Sequence, residues 1–313
     1  IDGGLAQSDF ADEKTFLVQD FATSDQSFRG MQYSAMSWGD IEGDGDVDLA
    51  LMGTNRSGDA LSLVYVNRDG VLTVDAGSEL TPLTKGDLAW GDYDGDGDLD
   101  LVTSGQMGLD NRADVLYEVS GETDNLTFRP LPFSLGLDFS SVAWGDIDND
   151  GDLDLLRSGQ SAIVEEGVQL SFTVVVVNDG EGGFVGRDDR LEGVNNGDLN
   201  LGDIDGDGDL DLVVSGKNSS GILRTDVYRN DLQEGMVDAD VDLPGLESSD
   251  LALGDYDRDG DLDLVLSGLD AAETPFSGLF DNDGLGQYQA NQEVRLPGVI
   301  GGDLVWADYD TDD

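Results

Sequence analysis

"WGDYDGDGDLDLVTSG" occupies residues 90–105 and sets five aspartates, Asp92, Asp94, Asp96, Asp98 and Asp100, within nine positions. Two carboxylates about 4 Å apart repel by roughly 4 kcal/mol at an effective dielectric near 20. The nearest basic residues in the chain are Lys85 and Arg112, so no adjacent side chain supplies the counter-charge. The spacing suits a bound cation. Acids at positions 1, 3 and 5, a glycine at position 6 that permits a sharp reversal, a carbonyl at position 7 and an acid at position 9 wrap oxygens around one point. That shell fits a hard ion with six to eight oxygen ligands at about 2.3–2.6 Å, which favours calcium over the smaller octahedral magnesium.

The stretch recurs, and the recurrence organises the chain. Copies read "WGDIEGDGDVDLALMG" from Trp38, "WGDIDNDGDLDLLRSG" from Trp144, "LGDIDGDGDLDLVVSG" from Leu201 and "LGDYDRDGDLDLVLSG" from Leu253, with a broken copy, "WADYDTDD", from Trp306. Successive copies start 52, 54, 57, 52 and 53 residues apart. The candidate ligands of the first loop are Asp40, Glu42, Asp44, Asp46 and Asp48, with Glu42 one methylene longer than its counterparts. The second loop has the five aspartates above, and the third has Asp146, Asp148, Asp150, Asp152 and Asp154. The fourth has Asp203, Asp205, Asp207, Asp209 and Asp211, and the fifth Asp255, Asp257, Asp259, Asp261 and Asp263. At position 7 (Asp46, Asp98, Asp152, Asp209 and Asp261) the expected ligand is the backbone carbonyl. The sixth copy keeps Asp308, Asp310 and Asp312 but has Asp313 where the glycine belongs, so it is an incomplete site. About five calcium ions are expected, one per complete loop.

Isolated Asp-Gly runs are often solvated turns, but five copies with identical positions 1, 5, 6 and 9 do not fit that reading. A helical calcium loop would carry glutamate at position 12 and flanking helices, and no copy does. A period near 50 residues points to a solenoid, a propeller or an array.

Each unit reads as strands. A short apolar segment precedes the motif, a Leu- and Val-rich segment follows it, and a third, such as "LSLVYVNRDG" (61–70) or "SFTVVVVNDG" (171–180), closes on a hairpin-type turn. A fourth segment ends near "LPG" at 243–245 and 296–298. Four short antiparallel strands per repeat is the arithmetic of a propeller blade. The expected fold is an all-β propeller of four-stranded antiparallel blades, about 53 residues each. It has five complete blades plus terminal pieces, in a six- or seven-bladed ring. The single domain 1–313 divides into blades at 31–85, 86–138, 139–196, 197–248 and 249–300. Residues 1–30 supply the last strand of a preceding or shared blade, and 301–313 the first strand of a further one. The two pieces either share one blade or belong to a segment of a longer protein.

These repeats resemble the FG-GAP/VCBS class, the calcium-loop blades of integrin alpha-chain propellers and of many secreted bacterial proteins. The resemblance covers residues 31–313 and rests on the D-x-D-x-D-G-x-x-D core inside a blade-length repeat. It implies a β-propeller with calcium in the turn between a blade's first and second strands. Ser-Gly or Met-Gly (52–53, 104–105, 158–159, 215–216 and 267–268) stands where integrin chains carry Gly-Ala-Pro, which places the chain nearer the bacterial branch.

Composition narrows the function classes. The formal net charge is −53, and no basic stripe exists to neutralise phosphates, so nucleic acid is excluded as a partner. Cysteine and histidine are both absent, which removes disulfides, zinc thiolates, thiol nucleophiles and the usual general base near neutral pH. No apolar run approaches a membrane span, and no signal-peptide pattern follows Ile1; any targeting segment is expected to lie outside this stretch. Trp38, Trp90, Trp144 and Trp306 share one motif position with Leu201 and Leu253, an interchange that favours inter-blade packing over sugar stacking.

The expectation is a non-enzymatic, extracellular or cell-surface propeller for adhesion, surface assembly or binding of protein or glycan, self-assembly included. Contacts would come from the variable connections after the second strand. The alternative is the scaffold of a secreted carbohydrate-active enzyme such as a polysaccharide lyase. A carboxylate pair can act on glycosides without histidine.

Overall fold

The computed structural model of the chain describes residues 30–108, 111–121, 125–132, 136–232 and 235–307. These form five antiparallel sheets in sequence order and no helix. Blade 1 is β1 (Met31–Gly39), β2 (Asp48–Asn55), β3 (Ala60–Arg68) and β4 (Val71–Val74). Blade 2 is β5 (Thr84–Gly91), β6 (Asp100–Met107), β7 (Asn111–Ser120) and β8 (Thr127–Pro132), and blade 3 is β9 (Leu137–Gly145), β10 (Asp154–Glu165), β11 (Val168–Asn178) and β12 (Phe184–Arg187). In blade 4 the first strand is split into β13 (Val194–Asn195) and β14 (Leu199–Gly202), both paired with β15 (Asp211–Asn218), followed by β16 (Leu223–Asp231) and β17 (Gly235–Asp238). Blade 5 is β18 (Glu247–Gly254), β19 (Asp263–Leu269), β20 (Pro275–Asn282) and β21 (Tyr288–Ala290).

First strands pack on first strands in succession, β1 on β5, β5 on β9, β9 on β14 and β14 on β18. The arrangement is a five-bladed β-propeller of four-stranded meanders. The expected terminal strands in 1–29 and 308–313 lie outside the described residues.

Second strands are the centre of each blade. Residues 48–53, 100–105, 154–159 and 211–216 are buried along their whole length, as expected of a Leu- and Val-rich run covered on both faces. The apolar core lies between blades. Ile41, Met52 and Val66 of the first repeat pack with Leu88, Leu101 and Tyr117 of the second, and Ile147, Leu156 and Val175 of the third with Leu199, Leu212 and Tyr228 of the fourth.

The joint between blades is built from the motif itself. A Cβ placed on Gly91 would lie 2.7 Å from Trp144 Cδ1, and one on Gly254 would lie 2.6 Å from Trp306 Cδ1. On Gly145 it would meet Leu201 and Leu210, both at 2.8 Å. The glycine before each metal loop therefore exists to admit the next blade's Trp or Leu. The indole N–H of Trp90, Trp144 and Trp306 donates to the carbonyl of Ser37, Ala89 and Ala252, at 3.2, 3.3 and 3.2 Å. These tryptophans are packing residues. Trp38, at the start of the series, is 52% exposed.

Each first strand bends at one place. Tyr33, Lys85, Phe139, Asn196 and Ser248, each five residues before the Trp or Leu, all have positive φ, between 47° and 54°. The ladders of β1, β5, β9 and β18 shift register there, and in blade 4 the strand breaks. Such bulges re-aim the residues that follow.

Candidate metal centre

The loop conformation follows from short-range hydrogen bonds that the acids make with their own backbone. The position-1 carboxylate accepts from the N–H groups of positions 5 and 6. Asp92 takes Asp96 N and Gly97 N, both at 3.1 Å, and Asp146 takes Asp150 N at 3.0 Å and Gly151 N at 3.1 Å. The first and fifth loops repeat this through Asp40 and Asp255. In the fourth, Asp203 accepts from Gly208 N at 3.2 Å. The position-5 carboxylate accepts from the position-7 N–H at 2.9–3.0 Å in all five loops.

Position 6 is left-handed as expected, with φ of 95–100°. Position 4 is left-handed too: Gly43, Gly95 and Gly206 accept this freely, Asn149 (φ 60°) tolerates it, and Arg258 (φ 65°) is strained. The sequence reading did not single out position 4, although glycine in three of five copies was the available signal.

Position 9 has a structural part of its own. Asp48, Asp100, Asp154, Asp211 and Asp263 are all buried, at 0–2% exposure. One oxygen of each accepts from the position-2 N–H, as in Ile147 N to Asp154 Oδ2 at 2.8 Å and Tyr256 N to Asp263 Oδ2 at 2.9 Å. The other accepts from a backbone N–H at the end of the third strand: Asn67, Val119, Asn178, Asn230 and Asn282, at 2.7–3.0 Å. This aspartate fastens the loop to the blade.

The acids converge. Asp92, Asp94 and Asp96 bring ligand oxygens within 4.8 Å of one another, as do Asp146, Asp148 and Asp154; Asp203, Asp205 and Asp211; and Asp255, Asp257 and Asp259. Asp40, Glu42, Asp44 and Asp48 do not draw into such a group. Buried oxygens with no donor occur at positions 1 and 3: both of Glu42 and one each of Asp148, Asp203 and Asp205. A buried carboxylate oxygen without a donor costs about 1–3 kcal/mol or more. A cation between these oxygens is the partner that their chemistry fits. The position-7 side chains point elsewhere. Asp209 accepts from Asn149 Nδ2 of the neighbouring loop at 2.5 Å, and the Asp152 and Asp261 carboxylates lie against the turn glycines Gly180 and Gly284.

Electrostatics point the same way. Burial, and then the Asp94 charge, pushes the Asp100 carboxyl up to about 7 despite the Val119 N–H that opposes it. Burial likewise takes Asp211 to about 6, and burial with the Asp48 charge takes Glu42 to about 7. Asp94, Asp148 and Asp205 are raised by burial and then by the next acid in the loop. A divalent ion would reverse these shifts, because an opposite charge at contact favours the ionised carboxylate.

A second acid set, which the sequence reading missed, lies on first strands three residues before Trp90, Leu201 and Leu253. Asp87 Oδ2 accepts from Val142 N of the next blade at 3.1 Å, and Asp198 Oδ2 from Leu251 N at 3.3 Å. Asp250 accepts from Leu304 N. In blade 3 the position is Ser141, whose hydroxyl donates to Asp198 Oδ1 at 2.8 Å and also lies 3.4 Å from Asp87 Oδ2. The Asp198 and Asp250 carboxyls are both raised, first by burial. Burial first and the Asp198 charge second push Asp250 up to about 8, and burial carries Asp87 to about 7. These acids clasp blade to blade.

Comparison with known proteins matches the FG-GAP-like repeat to residues 92–156 and 203–266, each running from one acidic loop through the strands of its blade to the next acidic loop. The chain carries FG-GAP-like repeats. No curated protein matches it. Among solved structures, that of a thermostable family-43 glycoside hydrolase is similar over 87% of this chain and 96% of its own, with 11% identity and a TM-score of 0.43. Among the described residues no helix is long and apolar enough to cross a membrane.

Proposed function

We propose that this chain is a calcium-stabilised propeller that works outside the cell as a non-enzymatic module for adhesion, surface assembly or binding of protein or glycan. The observation that carries the reading is the repeated convergence of acids whose buried oxygens have no donor in the protein, Glu42, Asp148, Asp203 and Asp205 among them. Calcium suits them because it accepts many oxygens in a flexible shell. The ligands at each loop are the acids at positions 1, 3, 5 and 9 and the carbonyl at position 7, about five ions in all. A ring larger than five blades belongs to the same reading, since Trp306 already docks on blade 5 as Trp144 does on blade 2.

In an antiparallel meander the turns after the first and third strands share one edge, and the connection after the second strand lies at the opposite edge. The metal loops therefore sit away from residues 56–59, 166–167, 219–222 and 270–274, whose sequences differ from blade to blade. Rigid nearly identical loops on one edge and variable ones on the other suit a scaffold that presents a contact face. The test measures adhesion of the calcium-loaded chain to cell-wall polysaccharide and to immobilised copies of itself, before and after grafting glycine-serine into those four connections. Binding that the grafts remove, with calcium content unchanged, is the expected result. Retained binding after grafting, or cleavage of the polysaccharide by the purified chain, would overturn the proposal.

A further inference from the structure

The third strands of blades 3 and 5 end on Asn178 and Asn282, that of blade 4 carries Asn230 one residue before its end, and the carboxamides of these residues leave their own blade. Asn178 Nδ2 donates to the Tyr93 carbonyl at 2.7 Å, Asn230 Nδ2 to the Ile147 carbonyl at 2.7 Å and Asn282 Nδ2 to the Ile204 carbonyl at 2.8 Å. Each acceptor is position 2 of the preceding blade's metal loop, between the acids at positions 1 and 3. Each of these asparagines also donates its backbone N–H to the position-9 aspartate of its own loop: Asp154 at 2.8 Å, Asp211 at 2.7 Å and Asp263 at 3.0 Å. Asn178 and Asn282 further hold the position-8 carbonyls of their own loops, Leu153 and Leu262. One residue thus touches two metal loops, and it is buried, at 1–7% exposure in the three cases.

The link is missing at one place. Blade 2 has Val119 at this position. Its N–H still donates to Asp100 at 2.8 Å, but its side chain has no donor and packs in the same apolar cluster as Ile41, position 2 of the first loop. Asn67 of blade 1 reaches the Val47 carbonyl of its own loop, at 3.1 Å.

We propose that Asn178, Asn230 and Asn282 are positioning residues that couple the metal loops of blades 2 to 5 into one cooperative group, from which Val119 separates the loop at Asp40–Asp48. A cation that orders Asp154 fixes the Asn178 backbone, which fixes the Tyr93 carbonyl between Asp92 and Asp94. The same relay joins the third loop to the fourth and the fourth to the fifth. Coupling is reciprocal, and a single such link corresponds to about a five-fold or larger change in a neighbour's affinity. The third and fourth loops are also joined directly, through Asn149 and Asp209, so the link between the second and third is the cleanest to cut. This inference rests on the cation reading above.

The experiment is a calcium titration of the full chain followed by the backbone amide resonances of Gly45, Gly97, Gly151, Gly208 and Gly260, one reporter per loop. In the unaltered chain the last four are expected to move together and steeply, with Gly45 following its own simple isotherm. Asn178→Val should detach Gly97 from the group and weaken its loop about five-fold or more. Val119→Asn should bring Gly45 into the group, which also decides the matter should Asn178→Val fold poorly. Five independent isotherms in the unaltered chain, or unchanged midpoints in both variants, would overturn the coupling and leave calcium binding intact. Amides that do not respond to calcium at all would overturn both.

Discussion

Two charge-neutralising substitutions in the third loop should behave in opposite ways, although they lie six residues apart. Asp148→Asn removes a charge from position 3, where one carboxylate oxygen is buried without a donor and the neighbouring charges of Asp150 and Asp146 oppose ionisation. Asp154→Asn removes a charge from position 9, where the carboxylate accepts Ile147 N and Asn178 N, both at 2.8 Å, in a fully buried setting. In excess chelator, Asp148→Asn should stabilise by on the order of 1 kcal/mol, because it relieves like-charge repulsion that solvent partly screens. Asp154→Asn should destabilise by about 1–3 kcal/mol, because an amide cannot accept from both N–H groups and one is left buried and unpaired. With saturating calcium both should destabilise, since each removes a ligand and each tenfold loss of affinity is worth about 1.4 kcal/mol. Thermal melting by circular dichroism resolves these effects at about 2–4 °C per kcal/mol for a chain of this size. Equal shifts of the same sign in chelator would refute the division of labour between positions 3 and 9.

Three further outcomes follow from the joints and the acid clasp. Gly91→Ala should cost about 1–3 kcal/mol by overpacking against Trp144, read as a lower urea midpoint; an unchanged midpoint would show that the joint yields. Asp250, pushed up to about 8 from 3.8, keeps a proton that the unfolded chain has released, so its contribution favours the fold at low pH and is lost as pH rises through about 8. In calcium-loaded protein Asp250→Asn, which fixes the neutral form, should flatten the fall in melting temperature between about pH 6 and 9; an unaltered slope would remove the clasp from the account. The metal-free chain should gain stability on acidification from about pH 8 to 6, as Asp100, Asp211 and Glu42 take up protons, while the calcium-loaded chain loses it to proton competition. Parallel pH profiles with and without calcium would contradict this.

Much of the architecture was legible because it repeats. The loop spacing, the 52–57-residue period and the Trp/Leu interchange each appear in several copies, so motif, blade and joint could be read from "WGDYDGDGDLDLVTSG" outward. What could not be read depends on positions where conformation repeats but residue type does not. The bulge in the first strand uses Tyr33, Lys85, Phe139, Asn196 and Ser248, a set with no shared chemistry, and only the backbone reveals it. The Asp87, Asp198 and Asp250 clasp was hidden by the acidity of the chain, in which one more aspartate before an apolar run carries no signal. Asn178 reads in the sequence as a hairpin-turn residue; its carboxamide and those of Asn230 and Asn282 reach another blade across 78–85 residues of sequence. Tyr65, Tyr117 and Tyr228 are buried because blades pack against both faces of the third strand.

The central claim is that the converging acids hold cations that stabilise the blades. Native mass spectrometry of the chain after dialysis against calcium, paired with melting in excess chelator, tests it most directly. The account predicts five ions, with the one at Asp40–Asp48 lost first, and a melting temperature that falls strongly on chelation. Two or fewer retained ions, or a melting curve that chelation leaves unchanged, would contradict it.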